Sequence, residues 1–243
     1  MSKANDTSVT PAQLDWASAS AKREVDSLAF RVAASDILSM RTNVRVASFP
    51  AADWTWEHNL MTQFKNHVFH ITGIERDPAV YAVGARNAPT LGVCAMHPRP
   101  VGLSSFLTTP DLEPFDIINL DWLGTWSKEK KKDLRRIFER PTLLRDGGLL
   151  LLTMALNRGQ PETTDELYEL AENNLAFMVY DERGRDAHTS GFRVRGIPQW
   201  VINEADEVGV TLRPLLASVY YSKRADTSGS PAPMVQFMFK RID

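Results

Sequence analysis

His67-Val68-Phe69-His70-Ile71-Thr72-Gly73-Ile74-Glu75-Arg76-Asp77-Pro78 runs from an apolar segment straight into a carboxylate. Val68 to Ile74 reads as a strand that stops at Glu75. A helix follows at once from Pro78 to Asn87, since proline is tolerated in the first helical turn. A carboxylate at such a strand end can accept hydrogen bonds from both hydroxyls of a ribose, and the turn after it leaves room for a base. The stretch therefore points to a nucleoside-containing ligand. The competing reading is local: an acid here caps a helix or faces solvent.

The rest of the chain repeats this strand-then-helix grammar. Val44 to Pro50 alternates and stops at a proline, as a short strand does. Ala51-Ala52-Asp53 is then a turn, with Asp53 a candidate N-cap, and Trp54 to Lys65 reads as a helix. A strand near Val93–Met96 leads into a long loop. Phe115-Asp116-Ile117-Ile118-Asn119-Leu120-Asp121 is a second apolar strand ending in an acid. Ser127 to Arg140 has an amphipathic helical period, with Leu134, Ile137 and Phe138 on the apolar stripe. Leu144-Arg145-Asp146-Gly147-Gly148 reads as a turn into the strand Leu149 to Met154. Glu162 to Met178 is expected to be helical, Tyr180 to Arg195 a polar loop, and Ile197 to Val208 helical. Two strands, Thr211–Ser222 and Met234–Arg241, have no helix between them and must pair antiparallel. Alternating strands and helices imply a mostly parallel sheet covered on both faces.

Upstream, residues 1–10 are polar and read as disordered, and residues 11–43 as a helical segment carrying Leu14, Trp16, Val25, Leu28, Val32 and Leu38. Residues 44–243 form one α/β domain. A 243-residue chain with 43% hydrophobic and 24% charged residues is ordinary for a globular protein. Its net charge of −2 provides no global attraction to nucleic acid or anionic membranes. The single cysteine, Cys94, excludes an internal disulfide and a multi-cysteine metal site. Histidines 58, 67, 70, 97 and 188 show no metal-ligand spacing. No signal peptide or membrane-length apolar run is evident, so a cytoplasmic location is expected.

This order of elements resembles the class I S-adenosylmethionine-dependent methyltransferases, with a three-layer Rossmann-like fold. Their mostly parallel sheet has seven strands, and the C-terminal hairpin inserts the last one antiparallel. Three local matches carry the resemblance. Gly73-Ile74-Glu75-Arg76-Asp77-Pro78 is similar to the motif after the second strand, which implies that Glu75, with Arg76 beside it, binds the cofactor's ribose. Leu120-Asp121-Trp122-Leu123-Gly124-Thr125 stands where the fourth-strand motif lines the methyl acceptor's pocket. It lacks the prolines of the common amino-methyltransferase form. Leu143 to Thr153 resembles the turn and fifth strand.

The resemblance implies S-adenosylmethionine as cofactor. Pro50, Ala51 and Asp53 would lie along its methionine end, with Asp53 or Glu57 accepting from its ammonium. Ser104, Ser105 and Phe106 would lie near the adenine. Asp121 would orient or deprotonate the acceptor, with Trp122 stacking beside it. Gly124, Thr125, Trp126, Lys128 and Lys131 would line the acceptor side. One departure weighs against activity: Phe49 to Glu57 contains no glycine where the family has a glycine-rich loop. Cβ atoms crowd a loop that normally cradles the ligand.

The basic run Lys128-Glu129-Lys130-Lys131-Lys132, with Arg135 and Arg136, offers phosphate contacts to a nucleic acid or is a solvated helix face. Three functional readings follow. One is a methyltransferase acting on a nucleic-acid base. The second is a catalytically degenerate scaffold with a protein partner. The third is a methyltransferase acting on a protein or small molecule.

Overall fold

The structure, a computed structural model, describes residues 20–92, 94–156, 164–172, 179–181, 191–222 and 232–242. Eight strands form one sheet: β1 (Asn43–Ser48), β2 (Val68–Gly73), β3 (Cys94–Met96), β4 (Phe115–Thr125), β5 (Leu144–Ala155), β6 (Val179–Asp181), β7 (Leu212–Ser222) and β8 (Ala232–Arg241). Their order is β3-β2-β1-β4-β5-β8-β7-β6. The first five strands pair in parallel, and β8 lies antiparallel between β5 and β7. The expected Rossmann-like α/β fold with its C-terminal hairpin is present. An eighth strand, β6, extends the sheet by three residues alongside β7.

The helices are α1 (Ser20–Ser35), α2 (Ile37–Met40), α3 (Thr55–Gln63), α4 (Pro78–Asn87), α5 (Leu103–Phe106), α6 (Lys128–Phe138), α7 (Thr164–Glu172) and α8 (Gly191–Asp206). Successive strand residues face opposite sides, so the central strands feed two cores. Ile118, Leu120, Leu150 and Leu152 join Leu134 of α6 and Ile197 and Val201 of α8. Ile117, Leu149 and Leu151 join Phe30 of α1, Ile37 of α2 and Leu60 of α3 on the other face.

Three sequence expectations need correction. The polar stretch 180–195 is not one loop: Val179–Asp181 is a strand, and α8 already begins at Gly191. Its arginines 193 and 195 are helical, whereas Arg183, Arg185 and His188 lie outside the described residues, as do residues 1–19. The Gly147-Gly148 pair is a bulge inside β5, not a reversal before it, and the register with β4 shifts there. Gly147 has φ +74°, the conformation that favours glycine. Finally, Trp122 to Thr125 is a bulged extension of β4 and not a free loop. Among the described residues, no helix is long and apolar enough to cross a membrane.

Candidate functional site

The strand order reverses between β1 and β4, and in open α/β sheets the crevice at the carboxyl ends of such strands receives ligands. Here β1 ends at Ser48, and β4 presents Asn119 and Asp121 beside it. Both sides of this head are polar and largely buried. The Ser48 hydroxyl donates a short hydrogen bond to Glu57 Oε1, from the first turn of α3. Asn119 Nδ2 donates to the same hydroxyl at 3.3 Å. Glu57 Oε2, Asn119 Oδ1 and Trp56 Nε1 are buried with no hydrogen-bond partner among the described residues. Burial pushes the Glu57 carboxyl up to about 7, although the Ser48 hydrogen bond opposes it.

Lys22 of α1 enters the same head. Its ammonium lies 2.9 Å from Asp121 and 3.6 Å from Asp26, and its side chain is 7% exposed. Burial alone would lower its pKa, but Asp121 and Asp26 more than offset this and raise it, so the ammonium stays charged. One ammonium thus sits between two carboxylates, with the shorter contact to Asp121. Burial pushes the Asp26 carboxyl up, and Lys22 only partly counters it. Gln236 Nε2 donates to Asp26 at 3.0 Å and completes the base of the cluster.

The space left at this head is small. Lys22, Pro50, Ala51, Glu57, Asn119 and Asp121 are among the residues around a cavity of about 20 Å³. That is room for a single water, against roughly 300–1,000 Å³ for a small-molecule pocket. The loop after β1 contributes to the closure. Ala51 and Trp54 adopt left-handed backbone angles, φ 46° and 56°, where glycine would be unstrained. Trp54 is held there by full burial and by its indole N–H, which donates to the Gly84 carbonyl at 2.9 Å. A Cβ placed on Gly73 would lie 2.7 Å from the Trp54 ring and 2.8 Å from Pro50. Gly73, at the end of β2, leaves room for the Trp54 ring.

Glu75 marks a different half of the site. It follows β2 and is partly exposed, and its Oε1 accepts from the Asp77 N–H at 2.7 Å. The local alternative of helix capping falls to Asp77, whose Oδ1 accepts from the N–H groups of Ala79 and Val80. Burial raises the Glu75 pKa, opposed by hydrogen bonds from the Asp77 and Arg76 N–H groups. Arg76 is exposed beside it. The chain from β3 passes close by: the Val101 N–H donates to the Glu75 carbonyl at 2.8 Å. A Cβ added to Gly102, the next residue along, meets nothing within 4 Å. Glu75 is an acceptor of the kind that the ribose of S-adenosylmethionine would need. With α1 in place the residues present do not fit the cofactor's methionine half.

The remaining candidates fall into distinct places. Ser104 donates to Asp133 of α6, Ser105 is exposed, and Phe106 is buried edge-on against His97. Asp53 accepts from the Thr55 N–H at 3.2 Å, at the start of α3. Trp122 is 9% exposed, with its ring against Phe49 on one side and the Lys130 ammonium 5.9 Å away. Trp126 is buried edge-on against Trp200 and presents no face to a ligand. Gly124, at φ +85°, has open space around it, and the Thr125 carbonyl accepts from the Lys130 ammonium at 2.6 Å. Lys128 is exposed. Lys131 pairs with Glu166 and Arg135 with Glu204, so much of the basic helix is answered by acids of α7 and α8.

Sequence reasoning missed Lys22 and Asp26. They are four residues apart on α1, a spacing that usually marks an exposed ion pair. The available signal was their position on the face of Val25 and Ala29, both buried.

No family model matches the chain, and no curated protein matches it. Solved structures do. The 4+2 cyclase SpnF is 14% identical over 93% of this chain and 85% of its own, with a TM-score of 0.51. A candidate methylase from Haemophilus influenzae is 11% identical, covers 90% and 89%, and has a TM-score of 0.50. A candidate RNA methyltransferase from Pyrococcus horikoshii is 10% identical, covers 92% and 84%, and also has a TM-score of 0.50. At these identities the likeness is one of fold, and the chain has the Rossmann-like fold of the methyltransferases.

Proposed function

We propose that the protein is an S-adenosylmethionine-dependent methyltransferase whose nucleoside subsite is formed at Glu75. One observation carries this reading: a partly exposed carboxylate at the head of β2, with the capping of α4 taken by Asp77. A ribose presents two adjacent hydroxyl donors, and a carboxylate is the acceptor that can take both. The cofactor would supply an activated methyl group. The chain's own contribution is to bind and orient, with Asp121 and Trp122 next to the switch point on β4.

The acceptor is better read as a protein or small molecule than as a nucleic-acid base. Lys131 and Arg135 are spent on Glu166 and Glu204, which leaves less positive charge for phosphates. Titration calorimetry with S-adenosylmethionine and S-adenosylhomocysteine tests the cofactor reading. Micromolar binding that is lost in Glu75→Ala is the expected result. Binding indifferent to that change would sink it.

A second reading has its own observation. The cavity of about 20 Å³ and the glycine-free loop favour a methyltransferase-fold protein that has lost catalysis and serves as a binding subunit. This reading expects no affinity for either ligand at millimolar concentration.

A further inference from the structure

The two halves of α1 are held by different forces. Ala29, Phe30 and Ala33 belong to the main core beneath the sheet, with Phe30 packed 5.5 Å from Trp56 and 6.4 Å from Phe64. Nearer the N-terminus, Val25 joins only a small patch with Tyr220 and Met234. Otherwise that end is held by the Lys22–Asp121 ion pair and by the hydrogen bond that Gln236 donates to Asp26. Apolar burial is lost outright when a helix lifts. An ion pair can instead be exchanged for an equivalent one with a ligand.

The groups under Lys22 are also unfinished. Glu57 Oε2 and Asn119 Oδ1 have no hydrogen-bond partner among the described residues, although a cation is bound within the same head. Lys22 shuts the cavity without satisfying them. A ligand ammonium seated deeper, between β1 and β4, would supply hydrogen bonds that the closed state lacks.

We propose that the N-terminal half of α1 is an autoinhibitory latch, in which Lys22 bound to Asp121 occupies the methionine half of the cofactor site and must leave before the ligand's amino-acid end can enter. This rests on the cofactor reading above. Latch closure and ligand binding then compete. The apparent affinity is the intrinsic affinity reduced by the fraction of molecules with the latch open.

The test uses S-adenosylhomocysteine with the full chain and its Lys22→Met variant, which keeps most of the apolar stem and removes the charge. The variant is expected to bind at least tenfold more tightly than the unmodified protein. In the unmodified protein, saturating ligand is expected to speed hydrogen exchange at amides 20–26 and leave amides 29–35 unchanged. Equal affinities for the two proteins, or slower exchange at amides 20–26, would overturn the latch and leave the cofactor reading intact. Absence of binding to both proteins would overturn that reading and the latch with it. Should Lys22→Met lose its cooperative melt, the exchange measurement on the unmodified protein decides alone.

Discussion

The two ends of the sheet each bury a carboxylate cluster, and they are built on opposite principles. At the foot of β4, Asp116 is fully buried and completely answered. Arg41 donates at 2.5 Å, the Arg45 N–H at 2.8 Å and Arg145 at 3.3 Å to both oxygens. At the head, Glu57, Asn119 and Gln236 each keep a buried oxygen without a donor among the described residues, and Glu57 is pushed toward neutrality. The foot ties the start of β4 to the end of α2, to β1 and to the start of β5, and both Asp116 oxygens have donors. The head has kept the mismatches that a purely structural network would have eliminated. Satisfaction of the carboxylate itself, more than burial or charge, separates Asp116 from Glu57.

That contrast can be broken at either end. The largest effect is expected at the foot: Asp116→Ala should destabilise by about 3–5 kcal/mol in urea unfolding, because it strands charges organised around one buried carboxylate. It should leave S-adenosylhomocysteine affinity unchanged, and a loss of that affinity would blur the distinction. At the head the effect depends on pH. The folded pKa of Glu57 is raised from 4.5 to about 7. The folded state therefore binds the proton more tightly, and the group's contribution is complete below pH 4.5 and lost as pH climbs through 7. Glu57→Gln should remove this loss and be more stable than the unmodified protein at pH 8 by up to roughly 3 kcal/mol. Parallel thermal melts at pH 4.5 and 8 would show it, and a variant less stable at pH 8 would contradict it.

Smaller effects sharpen the boundary between the two halves of the site. Gly73→Ala forces a methyl against Trp54, Pro50 and Met96, and should cost about 1–3 kcal/mol. Unfolding unaffected by this change would mean that the tryptophan is not wedged there. Asp77→Ala removes only the α4 cap, at about 1 kcal/mol. Because Glu75 takes no part in capping, ligand affinity should survive that change, which calorimetry can check.

Much of the fold could be read from the chain because its strands are apolar and its punctuation is sharp. Glu75 after β2 and the antiparallel pairing of β7 with β8 were both legible. The start of α8 was not. Pro198 and Gly196 look like breakers, yet Gly196 sits where α8 crosses α7. A Cβ there would come within 2.3 Å of the Leu167 carbonyl, so the glycine serves a close helix contact. β6 was missed because its three residues carry no period. At the switch point, the positions of Glu57 after β1 and of Asp121 near the end of an apolar strand were readable from the sequence. Lys22 was not, since its nearer partner, Asp121, lies 99 residues further on, in β4. A pattern within one helix cannot report contacts made across that distance.

The position of β8 has a consequence for synthesis. β8 follows every other strand in sequence but lies between β5 and β7, with Phe237 and Phe239 fully buried. Until it emerges from the ribosome, the apolar edge of β5 has no antiparallel partner, and β7 and β6 cannot join the sheet. Exposed edges of this kind recruit other chains. A chain halted after Ser222 should therefore be captured by chaperones and cleaved readily by protease, even though five parallel strands are already made. Protease resistance of that truncated chain equal to that of the whole protein would show that the first half closes without its last neighbour.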